Sequence, residues 1–535
     1  MIRFTAFLLF LAPLTIVDLQ PFRQSTSAGS ATLVNLNPNI NVWYVLTVGE
    51  TSWHLENPQP HTAKILLDDK HPNGLVIAEG TNRAPCDLFP SALDLARNSA
   101  LIYAPLCGGR LYLRNPAKGQ RTALEAATEF LRNQVWGGEK VIILFHHLLA
   151  DRYRETAESD NRRGGEGNVP GAPLNAQIDP ARATRMAIPV NLGIALESES
   201  TGMTPGAWYP AAGNPGTYVS VMQPNQIASA IFQTSKNVVG NLDSIESASL
   251  CYLIAFDLDR YELGFALGTS FPGIGWSARV PPSLRIPNTP GPDGIGSIAP
   301  LVSTGLIAPE NGRRTIATFT GGFKREHGAF RFGDLALKNH GSHYGFIENG
   351  VVFSKLQPGL ATVFMLDDGS LQMRTWTEDD NKLLAHVKYA RQNGVPIIEA
   401  SAPGQLVNRW GPGNWSGSED EKLRTIRGAV ALQSSAGKRF LVYAVFSDAT
   451  PSAMARVFQA YGMNYAMITD MNALEHTYCA VYRRSGSELS VDHLLKGMSV
   501  LDKSSGDEVI PRFLGYPDNR DFFYVMERAA KEVKR

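Results

Sequence analysis

Four polar residues in the C-terminal third have types and spacings suited to acid–base chemistry beside an anion. Arg424 opens the turn Arg424-Thr425-Ile426-Arg427-Gly428, and a guanidinium can grip two oxygens of an oxyanion at once. Asp470 closes a strand-like run (NYAMITD) that follows a helical pattern, where a carboxyl group can move a proton or activate water. Glu475 and His476 lie within a few residues of it. Structural roles compete on equal terms: Arg424 as an ion pair with a carboxylate such as Asp470, and Asp470 as a turn or helix-cap residue. His343, in Asn339-His340-Gly341-Ser342-His343-Tyr344, is a candidate for the same cleft, set against the commoner role of a satisfied structural histidine.

The elements that must position these residues follow one another over 315 to 482. A strand-like run ends in Thr320-Gly321-Gly322-Phe323. Two hairpins follow, GFIENGVVFS and VFMLDDGSLQM, with turn signals at 348–350 and 367–369. The Arg424 turn leads into the strands AVALQSS and RFLVYAVFSD, and the helical stretch AMARVFQAYGMNYAM enters Ile468-Thr469-Asp470. Helical patterns are predicted at 379–393 and 450–461. Strands mixed with few helices predict an α+β domain over 188–535. Within it, the proline- and glycine-rich stretch 276–300 is expected to form a long surface loop.

Upstream, residues 32–155 read as a smaller α/β domain, with strand-like pieces NVWYVLTV, GLVIAEG, ALIYAPL and GRLYLRN, a helix starting at Thr122 and a buried strand KVIILFHHLL. His146 and His147 are adjacent on that strand, so they point to opposite faces and cannot both grip one ion. Residues 156–187 are rich in charge, glycine and proline and read as a flexible linker. Residues 1–31 carry Arg3, an apolar stretch from Phe4 to Val17 and a small-residue tract after Ser25, the pattern of a signal peptide. The region after the apolar stretch is long, so an uncleaved N-terminal anchor is the alternative. Either way the expected location is the periplasm or the exterior.

Composition narrows the class. Of 535 residues 44% are hydrophobic and 19% charged, as in a soluble globular protein. Lysine plus arginine and aspartate plus glutamate each number 50, so no basic excess favours a nucleic-acid partner, and membrane contact is expected only through the N-terminus. No phosphate loop, HExxH helix or GxSxG elbow occurs. Asn414-Trp415-Ser416 is a formal glycosylation sequon. The four cysteines form no CxxC pair: Cys86 and Cys107 can close a loop in an oxidising compartment, and Cys251 and Cys479 sit in apolar runs as inert thiols.

Taken in order, the strand end Gly321-Gly322-Phe323, the turn Arg424-Thr425-x-x-Gly428 and the post-helical Asp470 resemble the phosphodiester glycosidase family, which includes a lysosomal enzyme that removes N-acetylglucosamine from mannose-6-phosphate diesters. The resemblance covers the C-terminal half. It implies a carbohydrate or sugar-phosphate substrate and a hydrolase with Asp470, Arg424 and Glu475 as catalytic residues. Thr320, Gly321, Gly322, His343, Asn472 and His476 would bind substrate; no metal ligand or cofactor is implied, with a divalent cation left open. Thr320 stands where the family has asparagine, Met471, Asn472 and Ala473 where it has three glycines, and Leu474 and Glu475 where it has serines. Side chains there obstruct a backbone that would otherwise approach a phosphate or sugar. Two functions therefore stand side by side: a hydrolase of glycosyl phosphodiesters or related envelope glycans, and an inactive glycan-binding or envelope-interaction protein with the same fold.

Overall fold

The computed structural model describes residues 22–26, 31–89, 91–122, 125–126, 158–160, 171–182, 186–188, 191–197, 202–278, 280–325, 327–328, 333–408, 423–486, 488–506 and 508–529. The strand expected at 140–149, His146, His147, the Asn414 sequon and residues 1–21 of the N-terminal targeting segment lie outside these residues, as does most of the helix expected from Thr122; Phe22–Ser25, at the end of that segment, is a strand paired with Ala31–Asn35. Strands dominate, in several antiparallel sheets with few short helices. Among the described residues no helix is long and apolar enough to cross a membrane.

The central sheet has eight strands in the order Tyr209–Pro210, Thr217–Met222, Cys251–Asp257, Lys438–Ala449, Thr425–Ser435, Tyr465–Met471, Ile398–Glu399 and Ala402–Pro403. Both of its faces are buried, which is why its strands are almost wholly apolar. Along Cys251–Asp257, Tyr252, Ile254 and Phe256 enter one core while Cys251, Leu253 and Ala255 enter another, the period of two that a strand imposes. The second core is covered by the helix Pro451–Ala460, through Ala453, Met454, Val457 and Phe458. Thr450 starts that helix, its hydroxyl accepting the Ala453 N–H at 3.2 Å, with Pro451 in the first turn.

The first core is shared with two five-stranded sheets. One runs Tyr261–Ala266, Phe522–Glu527, Thr315–Thr320, Cys479–Ser485, Glu488–His493; the other Val351–Ser354, Phe346–Glu348, Val387–Gln392, Ala361–Leu366, Leu371–Thr375. The hairpin at 348–350 is a two-residue turn with Asn349 and Gly350 both at positive φ (48° and 77°), the twist that matches right-handed strands.

Two expectations are corrected. Residues 379–393 are not one helix: a 3-10 helix, Glu378–His386, gives way to the strand Val387–Gln392. Cross-strand pairing with Phe346 and Ile347 on one side and Thr362–Leu366 on the other outweighs local helix propensity there. Residues 276–300 are irregular but not simply superficial, because buried Asp293 accepts from Arg325 Nη2 at 2.5 Å, from Ser354 Oγ at 3.2 Å and from the Lys355 N–H at 3.1 Å. The described part of 32–155 holds antiparallel strands and the helix Ala92–Asn98, and Glu125 and Ala126 are helical, while the rest of the expected helix and the strand at 140–149 lie outside the described residues.

This N-terminal part is fastened to the rest. In Trp43–Val48, Tyr44 and Leu46 face its own core while Trp43 and Val45 join the first core of the C-terminal sheets. Val302 donates its N–H to His54 Nδ1 at 3.1 Å, and Gln120 donates to the Pro517 carbonyl at 2.9 Å. A disulfide joins Cys86 to Cys107 across 21 residues, whereas Cys251 and Cys479 are free, buried thiols whose pKa is raised by burial. Closing a loop of that size restricts the unfolded chain by about 3 kcal/mol. A Cys86→Ala, Cys107→Ala protein should therefore lose about that much stability in urea denaturation; a loss below 1 kcal/mol would mean the bond constrains little.

Candidate functional site

Strand ends from the central sheet and from both five-stranded sheets converge beside the end of Tyr465–Met471. Asp470 is the penultimate residue of that strand, and its Oδ1 accepts its neighbour's Met471 N–H at 2.8 Å. Its Oδ2 accepts from Arg520 Nη1 at 2.8 Å. Arg520 belongs to the polar run Asp518-Asn519-Arg520-Asp521 that leads into the strand Phe522–Glu527. The same guanidinium donates through Nη2 to His476 Nε2 at 2.7 Å and through Nε to Glu125 Oε1 at 3.0 Å. Lys324 Nζ sits 2.9 Å from that Glu125 oxygen, and Asn519 Nδ2 donates to it at 3.2 Å.

The protonation pattern follows from the partners. Arginine only donates, so His476 Nε2 is an acceptor and its Nδ1 carries the proton that goes to the Met471 carbonyl at 2.7 Å. His476 is neutral: burial, and then the Arg520 charge, hold its pKa well below the ordinary value. Burial pushes Asp470 up to about 7, because Arg520 is shared among three acceptors and offsets it only in part, while Asp521 and Glu125 add negative charge nearby. Burial also acts on Glu125, but Arg520 and Lys324 together outweigh it and hold that carboxyl well below the usual range. Burial raises Glu475 as well; its backbone carbonyl takes Arg512 Nη1 at 2.8 Å.

The wall beside this cluster is built by close approach. Gly321 donates its N–H to the Asp521 carbonyl at 3.0 Å, and a Cβ at Gly321 would lie 2.7 Å from Asp521 Oδ2, so only glycine fits. Thr320 is buried with its hydroxyl toward the Tyr478 carbonyl at 3.4 Å. Gly322 lies against Asn393, whose Oδ1 accepts the Phe323 N–H at 3.3 Å and whose Nδ2 donates to the carbonyls of Ile468 and Thr469. Asp521 Oδ2 accepts from Arg391 Nε at 2.6 Å, both side chains being fully buried. Gly428 is required for a similar reason: its Cβ would stand 2.6 Å from the Tyr443 hydroxyl.

Asp470, Glu475, His476, Asn472, Thr320, Gly321 and Gly322 are thus drawn to one region of the fold, five of them on or beside two strand ends. Arg424 is engaged elsewhere: its Nη1 donates to Asp243 Oδ2 at 2.8 Å, and that carboxylate also caps the helix Ser244–Ala248. The buried arginine of the turn is Arg427, which donates to the carbonyls of Ala449 and Leu423. His343 is buried among different partners, its Nε2 accepting the Ser277 N–H at 3.3 Å, and burial with the Arg325 charge keeps it neutral. Sequence reading missed Glu125, Lys324, Asn393, Arg391, Arg520 and Asp521. The one local signal for them was the polar quartet 518–521 set directly before an apolar strand.

Of Met471, Asn472 and Ala473, one takes the left-handed backbone that favours glycine. Asn472 has φ +81° and donates its N–H to the Ile426 carbonyl at 2.9 Å, whereas Ala473 is extended. Asparagine is among the residues that best tolerate the left-handed region. Asn472→Gly should leave stability within about 0.5 kcal/mol of wild type, while Asn472→Val should cost about 1–2 kcal/mol. Equal stability of the two variants in thermal unfolding would contradict a left-handed residue at this point.

No protein-family model matches the chain, and no curated protein does. Among solved structures, the catalytic domain of zebrafish N-acetylglucosamine-1-phosphodiester alpha-N-acetylglucosaminidase, auto-inhibited by its pro-peptide, is similar at 10% identity and a TM-score of 0.31, over 67% of this chain and 96% of that one. A hypothetical protein from Synechocystis is similar at 10% identity and a TM-score of 0.25, over 95% of this chain and 99% of that one. Likeness at these scores establishes neither family nor function. Among the described residues, no group of three or more His, Cys, Asp or Glu side chains is gathered closely enough to hold a metal ion.

Proposed function

We propose that this chain is an exported hydrolase of glycosyl phosphodiesters or related envelope glycans, working in the periplasm or outside the cell. The observation that carries the reading is Asp470, a strand-end carboxyl with a pKa near 7 held against a buried arginine. A carboxyl poised near neutrality can give a proton to a leaving oxygen and take one back from water. Arg520 and Lys324 supply the positive charge that a phosphodiester needs, the role the sequence suggested for Arg424. The backbone of Thr320, Gly321 and Gly322 and the side chains of Asn472 and His476 would border the sugar. An oxidising location agrees with the Cys86–Cys107 bond.

One observation favours the glycan-binding alternative. Asp470 and Arg520 already satisfy each other with side chains only 6% and 5% exposed, as a purely structural ion pair would. The experiment that separates the two is an activity screen of the purified chain on α-glycosyl phosphodiesters, run beside a glycan-binding array. Sugar release that depends on Asp470 supports the hydrolase; binding without release, unaffected by Asp470→Asn, supports the alternative.

A further inference from the structure

Glu125 lies in the N-terminal part, 345 positions before Asp470, yet its carboxylate is built into the same cluster. The sequence offers it a local occupation: Thr122-x-x-Glu125 is the pattern of a capping box, in which the glutamate reaches back to the first residue of its helix. Half of that motif forms, since Thr122 Oγ1 accepts the Glu125 N–H at 3.0 Å and the Thr122 carbonyl accepts from Ala126 at 3.0 Å. The glutamate side chain does not complete it. Its Oε1 takes Lys324, Arg520 and Asn519, and its Oε2 is buried with no hydrogen-bond partner among the described residues, in a residue 2% exposed.

A carboxylate oxygen left unpartnered in the interior is costly, and among the described residues no donor satisfies it. A ligand that offers a hydrogen there would. Arg520 is the hinge of the arrangement, because one guanidinium holds Oε1 of Glu125 and Oδ2 of Asp470 and so fixes the two carboxyl groups beside each other.

We infer that Glu125 is the second catalytic carboxylate of the site, its Oε2 receiving the proton of the attacking water while Asp470 protonates the departing oxygen. The inference rests on the hydrolase reading above. The step balances without a further reactant. The water oxygen bonds to the anomeric carbon as the bond from that carbon to the phosphate oxygen breaks; the water proton passes to Glu125, and the Asp470 proton passes to the leaving phosphate. A free sugar and a phosphate monoester leave, and the two carboxyl groups have exchanged protonation states. The environment divides the labour in the required sense, since Arg520 and Lys324 keep Glu125 ionised whereas Asp470 stays protonated toward neutral pH. A fixed anion also faces the positive charge that grows on the sugar ring as the bond breaks. The N-terminal part is then a component of the active site rather than an appendage.

The test uses the full chain with Glu125→Gln and Glu125→Ala, assayed for sugar release from an α-glycosyl phosphodiester. Glu125→Gln keeps the shape and should lower kcat at least a hundredfold with KM within threefold. In Glu125→Ala, added sodium formate should restore turnover at least tenfold, which a merely structural loss would not allow. Thermal unfolding of both variants checks that they fold, and if Glu125→Ala does not, Glu125→Gln decides. Turnover within threefold of wild type overturns the assignment, as does a rise in turnover, which would make Glu125 an anion that occupies the phosphate position. If the wild-type chain releases no sugar from any diester, the hydrolase reading falls and this one with it. Activity in wild type retained in Glu125→Gln removes this one alone.

Discussion

Asp470→Asn is expected to lower sugar-phosphodiester turnover a hundredfold or more with KM little changed, because the amide can neither give nor take a proton at the reacting oxygen. The pH profile should carry the same signature. Wild-type activity should fall as pH rises past about 7, where Asp470 loses its proton, and the variant's residual activity should lack that limb. Stability supplies a second readout. The folded carboxyl holds its proton up to about pH 7, while the unfolded one releases it near 3.8, so between those values the folded state binds more protons. Stability due to this group is therefore fully present below about pH 4 and is lost as pH rises through 7. The shift corresponds to on the order of 4 kcal/mol, shared in practice with Arg520 and Glu125. The gap between wild type and Asp470→Asn in urea denaturation should thus move in the variant's favour from pH 5 to pH 8. A gap that stays constant across this range would mean that Asp470 is ionised throughout, and a pH limb retained in Asp470→Asn would assign the proton to another group.

The largest stability loss should come from Arg391. Its guanidinium ties three segments together: Nε donates to Asp521, Nη2 to the Phe323 carbonyl and Nη1 to the Gln392 carbonyl at 2.8 Å, with the aromatic rings of Phe271 and Phe346 within 6 Å. Arg391→Met keeps the volume but leaves Asp521 as a buried, unpaired carboxylate with Oδ1 already lacking a partner. Breaking a buried pair in this way costs about 3–5 kcal/mol. Adding Asp521→Asn to Arg391→Met should recover a good part of the loss, since the stranded charge is then gone, and the double-mutant cycle measures the coupling. Losses that simply add would show that the two side chains do not act as a pair. Because Asp521 adjoins Arg520 and supports Gly321, the single variant should also reduce turnover.

Much of the architecture could be read from periodicity. The strands around Trp43–Val48, Thr217–Met222, Cys251–Asp257, Thr315–Thr320 and Lys438–Ala449 announce themselves as apolar runs, since both faces of each are buried. The helix Pro451–Ala460 is equally legible from its cap and its pattern. Residues 379–393 were misread because Leu383, Leu384 and Ala385 have helix propensity, while the pairings that make Val387–Gln392 a strand come from residues 21 to 45 positions away.

The site divides in the same way. Asp470 was found because a carboxylate at the end of an apolar strand is conspicuous, and Glu475 and His476 because they follow it closely. Arg424 stood out for the same local reason, yet its charge is taken up by Asp243, 181 residues away. Lys324 and Arg391 carry no local mark, Glu125 only a capping-box pattern and Arg520 only its place in the polar run 518–521, because what defines them is a partner from a distant segment of the chain. By itself the sequence determined where chains extend, where they turn and which carboxyl closes the central strand, for these depend on neighbours along the chain. Only the tertiary structure decided which arginine meets that carboxyl and that a glutamate of the N-terminal part joins it. Ion-pair partners are selected by proximity and burial in space, and neither quantity is written in residue spacing.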